Sequence, residues 1–386
     1  MRVPHPDHFT SQLRSPAVAA RVGVWLGISF GTCFLTGLVS HWAQLPSPAI
    51  GFPTSPAWGY RFSQGLHVVT GCAAVPLLLV KLWAVYPRLF ERVDLGAGRR
   101  LVAVGLERAS IAVLVAASIF QLATGLANAS QWYPWREFSF RTTHYALAWV
   151  AIGALLVHVA VRLPVIRTAL RADVDDTTHD RETAVEPGPV SRRTLLRTTW
   201  AAAGIAVLAT AGGTVPWLRR VSVLAVRTGE GPGGVPINKT AAAAGVTTTA
   251  ADPGWALEVV VGGDVRTRLG LADLRALPQH TVDLPIACVE GWSAQGRWTG
   301  VRISDVLATA GASGGRDVLV TSLQQSGAFR RTVLPGAFAD DDRTLLALDL
   351  AGEPLSLDHG HPCRLIAPNR PGVLQTKWLS SLEVSA

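Results

Sequence analysis

The sequence predicts two architectures in one chain: an all-α transmembrane bundle of four spans plus a fifth anchoring span, then a mixed α+β domain rich in strands. Three observations predict it. Five apolar runs contain no Asp, Glu, Lys or Arg and approach or exceed the ~20 residues a helix needs to cross a bilayer. Arginine collects in alternate connections between those runs. Beyond residue 255 the long runs give way to strand-length apolar stretches broken by Gly, Pro and Asp. Of 386 residues, 49% are hydrophobic and 16% charged, against ~25% charged in typical soluble domains. That excludes a disordered chain, and four Cys exclude a disulfide scaffold. The net charge of +8 does not argue for a nucleic-acid partner, because the Arg flank apolar runs.

The runs are Val22–Ser40, Phe62–Val80, Ala109–Ala129, Thr142–Val161 and Thr198–Leu218. The first is too long for a removed signal peptide and lacks a small-residue cleavage site. Arg2, Arg14 and Arg21 precede it. Arg88, Arg92, Arg99, Arg100 and Arg108 lie between the second and third runs, and seven Arg from Arg162 to Arg197 lie between the fourth and fifth. The other connections carry only Arg61, or Arg136 and Arg141. The bias predicts a multi-pass protein of the cell membrane, with its N-terminus cytoplasmic and everything after Leu218 exported. Membrane lipid is then an obligatory partner.

Histidine is the informative residue of the membrane half. His41 ends the first span, His67 begins the second, His144 begins the fourth, and His158 lies in its inner third. An ionisable residue within a span is a functional candidate, and neutral imidazole is a common axial ligand of haem iron. His67 and His144 are expected at matching depth near the outer face, as one bis-His haem requires. His158 follows His144 by 14 residues, ~21 Å along a helix and about 40° off its face. No His at the inner end of the first three spans matches it. His41 and His158 are therefore further candidates for iron or simple interhelical hydrogen-bonding residues. Residues 17–170 resemble the b-type cytochrome membrane subunits that anchor bacterial oxidoreductases. The resemblance implies haem b and electron exchange with the quinone pool or another membrane carrier.

Residues 171–197 read as a polar cytoplasmic linker ending in Ser191-Arg192-Arg193-Thr194-Leu195-Leu196-Arg197. Placed before an Ala/Gly-rich span (residues 198–218), this motif is similar to a twin-arginine export signal. That resemblance implies a domain which crosses the membrane already folded around a cofactor. Residues 219–254, rich in Gly, Pro, Ala and Thr, read as an exported linker.

Within residues 255–386, strands are expected at Trp255–Val261, Thr281–Ala287, Val318–Ser322, Leu345–Leu350, Cys363–Ala367 and Lys377–Val384. Short helices are expected at Leu271–Leu277 and Ile303–Ala310. Cys288, in Pro285-Ile286-Ala287-Cys288-Val289-Glu290-Gly291-Trp292-Ser293, ends a strand and precedes a glycine loop. That placement suits a thiolate presented to metal or substrate, or a small buried apolar residue. Cys33 and Cys72 lie in spans and are expected to pack as small hydrophobes.

This domain resembles the molybdopterin-binding oxidoreductases of the sulfite oxidase family, which includes a periplasmic methionine-sulfoxide reductase catalytic subunit. The match rests on Cys288, Trp298-Thr299-Gly300-Val301, Asp305-Val306-Leu307, His359-Gly360-His361-Pro362-Cys363-Arg364-Leu365-Ile366-Ala367-Pro368 and Gln375-Thr376-Lys377-Trp378-Leu379. It implies that Cys288 is the catalytic molybdenum ligand. It further implies that Arg364 and Lys377, with the Gln375 and Thr376 backbone, hold the pterin phosphate and that His359 makes a polar pterin contact. Asn238 is a candidate to reach the pterin from the linker. Sulfite oxidases gather several Arg around their substrate; Arg297, Arg330 and Arg331 are available here, with nothing in the sequence placing them near the metal. A Cys288–Cys363 disulfide would remove the required thiolate and is not expected.

The expectation is a membrane-bound molybdoenzyme transferring an oxygen atom to or from a small sulfur or nitrogen compound, in the reductase direction by resemblance. Two alternatives stand at this point: a non-catalytic exported binding or sensor domain on an electron-carrying membrane protein, and a haem-free anchor for the enzyme.

Overall fold

The computed structural model describes residues 5, 8–90, 98–133, 139–225, 231–312 and 314–384. Arg2, Arg92 and Arg136, used above for topology, lie outside them. The chain divides into two compact units, each assembled from separated stretches.

The first unit takes in Met1–Gly37, Leu66–Gly212 and Leu218–Ala225. Five long helices, all of membrane-spanning length and composition, supply it: α1 (Pro16–Ala43), α2 (Gly59–Val85), α3 (Gly98–Ala129), α4 (Phe140–Arg171) and α5 (Arg192–Thr210). α1, α2 and α4 overrun their apolar runs at both ends, and α3 only at its start. The fifth does not reach Leu218. After Thr210 the chain passes through a 3₁₀ turn at Ala211–Gly213 and another at Pro216–Leu218. Two glycines favour leaving the helix, and Pro216 cannot continue it. Val18, Val22 and Leu77 form the buried seam between α1 and α2.

The expected linker at 171–190 is folded. Glu186 accepts from Gln12 N at 2.9 Å and donates its own N–H to Thr10 O at 3.0 Å. Arg192 is buried, donates to the carbonyls of Gln12, Val174 and Asp176, and pairs with Asp180. Arg193 is half-exposed and pairs with Asp173 at 2.8 Å and Asp175 at 2.7 Å. Ser191 caps α5 by accepting from Thr194 N at 3.1 Å.

The second unit takes in Leu38–Gly65, Gly213–Trp217 and Val226–Ala386. It contains two five-stranded sheets. One has the order β2 (Asp264–Gly270), β1 (Ala256–Val261), β10 (Leu379–Val384), β5 (Val318–Ser322), β6 (Arg331–Leu334). The other has the order β3 (His280–Ala287), β4 (Ser293–Arg302), β7 (Leu345–Leu350), β8 (Glu353–Pro354), with β9 (Arg364–Ile366) also on β7. The core between them holds Leu257, Val259, Val320, Leu346, Cys363, Leu365 and Leu382, all essentially inaccessible. All four Cys are free, and Cys363 packs as a core residue.

Sequence patterning finds six of these ten strands and misses β2, β4, β6 and β8. β4 reads Ser-Ala-Gln-Gly-Arg-Trp-Thr-Gly-Val-Arg, polar and twice interrupted by glycine, yet it is the central strand joining β3 to β7. Gly300 explains itself here: a Cβ would sit 2.1 Å from Leu346 O on β7. Part of the expected exported linker is also structured. Two short helices, α6 (Ala241–Ala244) and α7 (Thr247–Ala250), bury Ala241, Val246 and Ala250 against Trp378.

Residues 44–60, between α1 and the start of α2, form a strap across the strand-rich domain. Pro46 O accepts from Val333 N at 2.7 Å. Arg343 donates to Thr54 O and Ser55 Oγ at 3.1 and 2.9 Å. Asn369 accepts from Tyr60 N and donates to Pro53 O at 2.5 and 2.7 Å. Tyr60, Ala43 and Ala287 then share one small buried cluster, with the partly buried Phe52 packed against it.

Candidate functional site

Cys288 opens the five-residue turn between β3 and β4. Its N–H donates to Trp292 O at 2.9 Å, and Gly291 donates back to Cys288 O at 3.2 Å. The turn needs φ +75° at Gly291, a region open to glycine at little cost. Thr214 Oγ1 donates to Gly291 O, and Trp292 Nε1 donates to Glu290 Oε2 at 3.1 Å. Cys288 is 2% exposed. Burial, and secondarily the Glu290 carboxylate, push its thiol well above the ordinary range. A thiolate there requires a metal or a positive neighbour to hold its charge.

Cys288 lines a small cleft together with Val235, Asn238, Trp292, Asp358, Arg364 and Lys377. Two of these groups are basic, Arg364 buried and Lys377 half-buried. Arg364, at the start of β9, donates to His359 O at 2.9 Å and Gln375 O at 3.2 Å and lies 5.1 Å over the Trp298 ring. Its Nε is buried with no partner among the described residues. Burial pulls its guanidinium down to about 9. Lys377 Nζ donates to the carbonyls of Lys239 and Asp358 at 2.5 and 2.9 Å. Burial, and then the neighbouring Arg364 charge, bring it down to about 7. Asp358 is the one carboxylate among the described residues lining the cleft, and it already accepts from Ala241 N at 2.7 Å. Desolvated cations with a spare N–H are a donor set made for an anion.

The other expected residues divide. Asn238 lines the cleft and is exposed. His359 also lines it, but both ring nitrogens are committed. Nε2 meets Val235 O at 2.9 Å, so it carries the proton; Nδ1 is 3.0 Å from Ser356 Oγ. Gln375 and Thr376 do not line it. Gln375 bonds the backbone of Ala367 through both amide atoms, at 2.7 and 2.8 Å, and Thr376 pairs with Thr332 at 3.0 Å. Both shape the loop from Ile366 to Gln375. Arg297, Arg330 and Arg331 are exposed and off the cleft. Asp358 and Gly372 line it without having been anticipated; neither residue type announces such a place in sequence.

The first unit holds a second candidate site. The rings of His67 on α2 and His144 on α4 lie 6.3 Å apart, centre to centre, at 66°. A ring centre lies roughly 3.1–3.2 Å from a metal bonded at ~2.0–2.1 Å, so two imidazoles across one iron need about this separation. Small residues face both: a Cβ at Gly37 would meet His67 Cε1 at 3.1 Å, and one at Gly125 would meet His144 Cε1 at 3.7 Å. The donor set fits a bis-imidazole iron. His158, on α4, lies within electrostatic reach of Lys81, Glu107 and Arg162. Among the described residues, His41 is in the last turn of α1.

Residues 244–386 match the family described as oxidoreductase molybdopterin binding domain. The chain is 31% identical to mitochondrial sulfite oxidase of Drosophila melanogaster over 161 residues, 34% of this chain and 27% of that protein. It is 31% identical to the uncharacterized oxidoreductase YuiH of Bacillus subtilis over 133 residues, 33% of this chain and 64% of that one. It is 32% identical to the putative protein-methionine-sulfoxide reductase subunit YedZ1 of Azospira oryzae over 115 residues, 30% of this chain and 43% of that one. The chain thus spans between about a quarter and two-thirds of the length of these three relatives.

Proposed function

Because its C-terminal domain is a molybdopterin-binding oxidoreductase domain, we propose that this chain is a membrane-bound molybdoenzyme reducing a small S- or N-oxide on the outer face of the cell membrane. The observation that carries the proposal is the cleft: a buried thiol at Cys288 faces a pocket with a buried arginine, a half-buried lysine and a guanidinium N–H without a partner among the described residues. When bound, the molybdenum centre supplies oxygen-atom transfer coupled to a two-electron change. Cys288 gives the metal its protein thiolate. Arg364 and Lys377 hold the pterin phosphate, Asn238 closes the cleft's exposed rim, and Trp292 and Ile286 exclude water. His359, Gln375 and Thr376 act through the backbone, keeping Arg364 and Lys377 in place. Similarity to the putative methionine-sulfoxide reductase subunit supports the reductase direction.

In the same reading, His67 and His144 would hold a haem b, which would supply electron exchange between the molybdenum site and the quinone pool. The 6.3 Å ring separation supports that ligand pair. The Ser191–Arg197 motif supports export by the twin-arginine route. The membership of residues 38–65 and 213–217 in the strand-rich unit supports placing the α1–α2 connection and the end of α5 on the exported side.

The test is Cys288→Ala in the full chain purified from membranes. Pterin content should stay near wild type, because the phosphate anchors remain. Sulfoxide reduction with a reduced dye should fall to background. Full activity in the variant, or wild-type protein with neither pterin nor molybdenum, refutes the proposal.

A further inference from the structure

The two candidate axial histidines are not merely near one another; their protonation is dictated by neighbours. His67 Nδ1 lies 3.0 Å from Cys33 O. A carbonyl only accepts, so this Nδ1 carries the proton. Thr36 Oγ1 lies 3.1 Å from the same nitrogen and donates its own proton to Thr32 O at 2.7 Å. It therefore meets Nδ1–H as a second acceptor.

His144 is fixed by a similar device on α3. Thr124 Oγ1 lies 3.0 Å from His144 Nδ1, and its hydroxyl proton goes to Phe120 O at 2.7 Å, one turn back along its helix. Having spent its single donor, Thr124 accepts from Nδ1–H. Both imidazoles are thus held as the Nδ1–H tautomer, and both Nε2 atoms keep a free lone pair. Among the described residues, the hydrogen bonds of both rings are made through Nδ1.

We infer that Thr36 and Thr124 are positioning residues for a bis-imidazole iron, fixing the ligating nitrogen of each ring and raising its basicity. The inference rests on the haem reading above and goes beyond it by assigning the residues that tune the centre. The two sides are unequal. His67 Nδ1–H has Thr36 and a carbonyl, whereas among the described residues His144 Nδ1–H has Thr124 alone. Losing an outer partner of this kind typically costs ~10–100-fold in metal affinity. It also leaves the ligand less basic, which favours the reduced metal.

The experiment uses the full chain in membranes, with reduced-minus-oxidised spectra, redox titration and electron paramagnetic resonance. Thr124→Val should lower haem retention about tenfold or more, raise the midpoint potential of what remains, and shift the low-spin signal. Thr124→Ser should restore all three, since the hydroxyl is kept. Thr36→Val should move them in the same direction by less, because Cys33 O still accepts. Wild-type potential and signal in Thr124→Val overturn the inference. So does an equal shift in Thr124→Ser, which would mark a packing effect. If Thr124→Val does not accumulate, the Thr36→Val and Thr124→Ser pair decides by the same criteria. Wild-type membranes without haem absorbance instead overturn the haem reading itself.

Discussion

Gly360 shows how much of the cleft depends on single atoms. It stands at φ +113°, and a Cβ would lie 3.0 Å from Arg364 Cβ and 3.1 Å from Lys377 Cβ. The two cations converge only because nothing occupies that space. Their convergence has a pH signature. In the cofactor-free protein Lys377 is brought from 10.5 to about 7 by burial. Between those values the unfolded chain holds a proton that the folded chain has released, so stability rises with pH across that window. A bound pterin phosphate returns the ammonium to its charged form and flattens the slope. Urea midpoints of cofactor-free protein measured at pH 7 and pH 9 should therefore increase, and those of loaded protein should not. Lys377→Met should remove the difference. Cys288 was legible at this scale, being delivered by an apolar strand into a glycine turn. The side-chain part of Gln375 was not legible: an amide bonding both backbone groups of Ala367 looks, in sequence, like any polar residue beside a signature lysine.

At the scale of elements, helices of the membrane half were readable because uninterrupted apolar length is a strong signal. β4 was not, because a central strand that carries glycine for close packing loses its hydrophobic alternation. The segment before α5 was readable as a motif and unreadable as a structure. Acidic residues at 173, 175 and 180 looked like linker polarity, and they turn out to pair with Arg192 and Arg193. This distinction selects the variant for testing export. Arg192 sits in a buried pair whose loss costs ~3–5 kcal/mol by removing one partner, so its replacement disturbs folding and recognition together. Arg193 is exposed. Arg193→Lys keeps charge and most packing, and should still leave the strand-rich domain protected from protease added to spheroplasts. Protease access and cofactor loading equal to wild type would show that the arginine pair sets topology only.

At the scale of the whole molecule, sequence reading divided the chain into a membrane half and an exported half at Leu218. The structure apportions it differently. Leu38–Gly65 and Gly213–Trp217 belong with the strand-rich unit. No periodicity could reveal this, because Asn369 and Pro53 meet across 316 positions of sequence, and a contact of that range leaves no local pattern. Asn369→Ala should lower the urea midpoint of the full chain, as a buried amide with two hydrogen-bond partners lost costs ~1–3 kcal/mol. An unchanged midpoint would make the strap a passive connection.

That strap has a consequence for self-association. β6 is the last strand of its sheet, and its outward Val333 N–H is taken by Pro46 O. A proline has no N–H to offer in return, so the pairing stops after one bond and cannot propagate as a ladder. The edge is blunted by a residue that belongs, in sequence, to the membrane half. Cut away from residues 44–60, the domain would present a free strand edge beside newly bared Ala287, the combination by which sheets join edge to edge between molecules. A soluble fragment beginning near residue 231 should then scatter light at concentrations where the detergent-purified full chain stays dispersed, and a charged residue at Val333 should suppress that scattering.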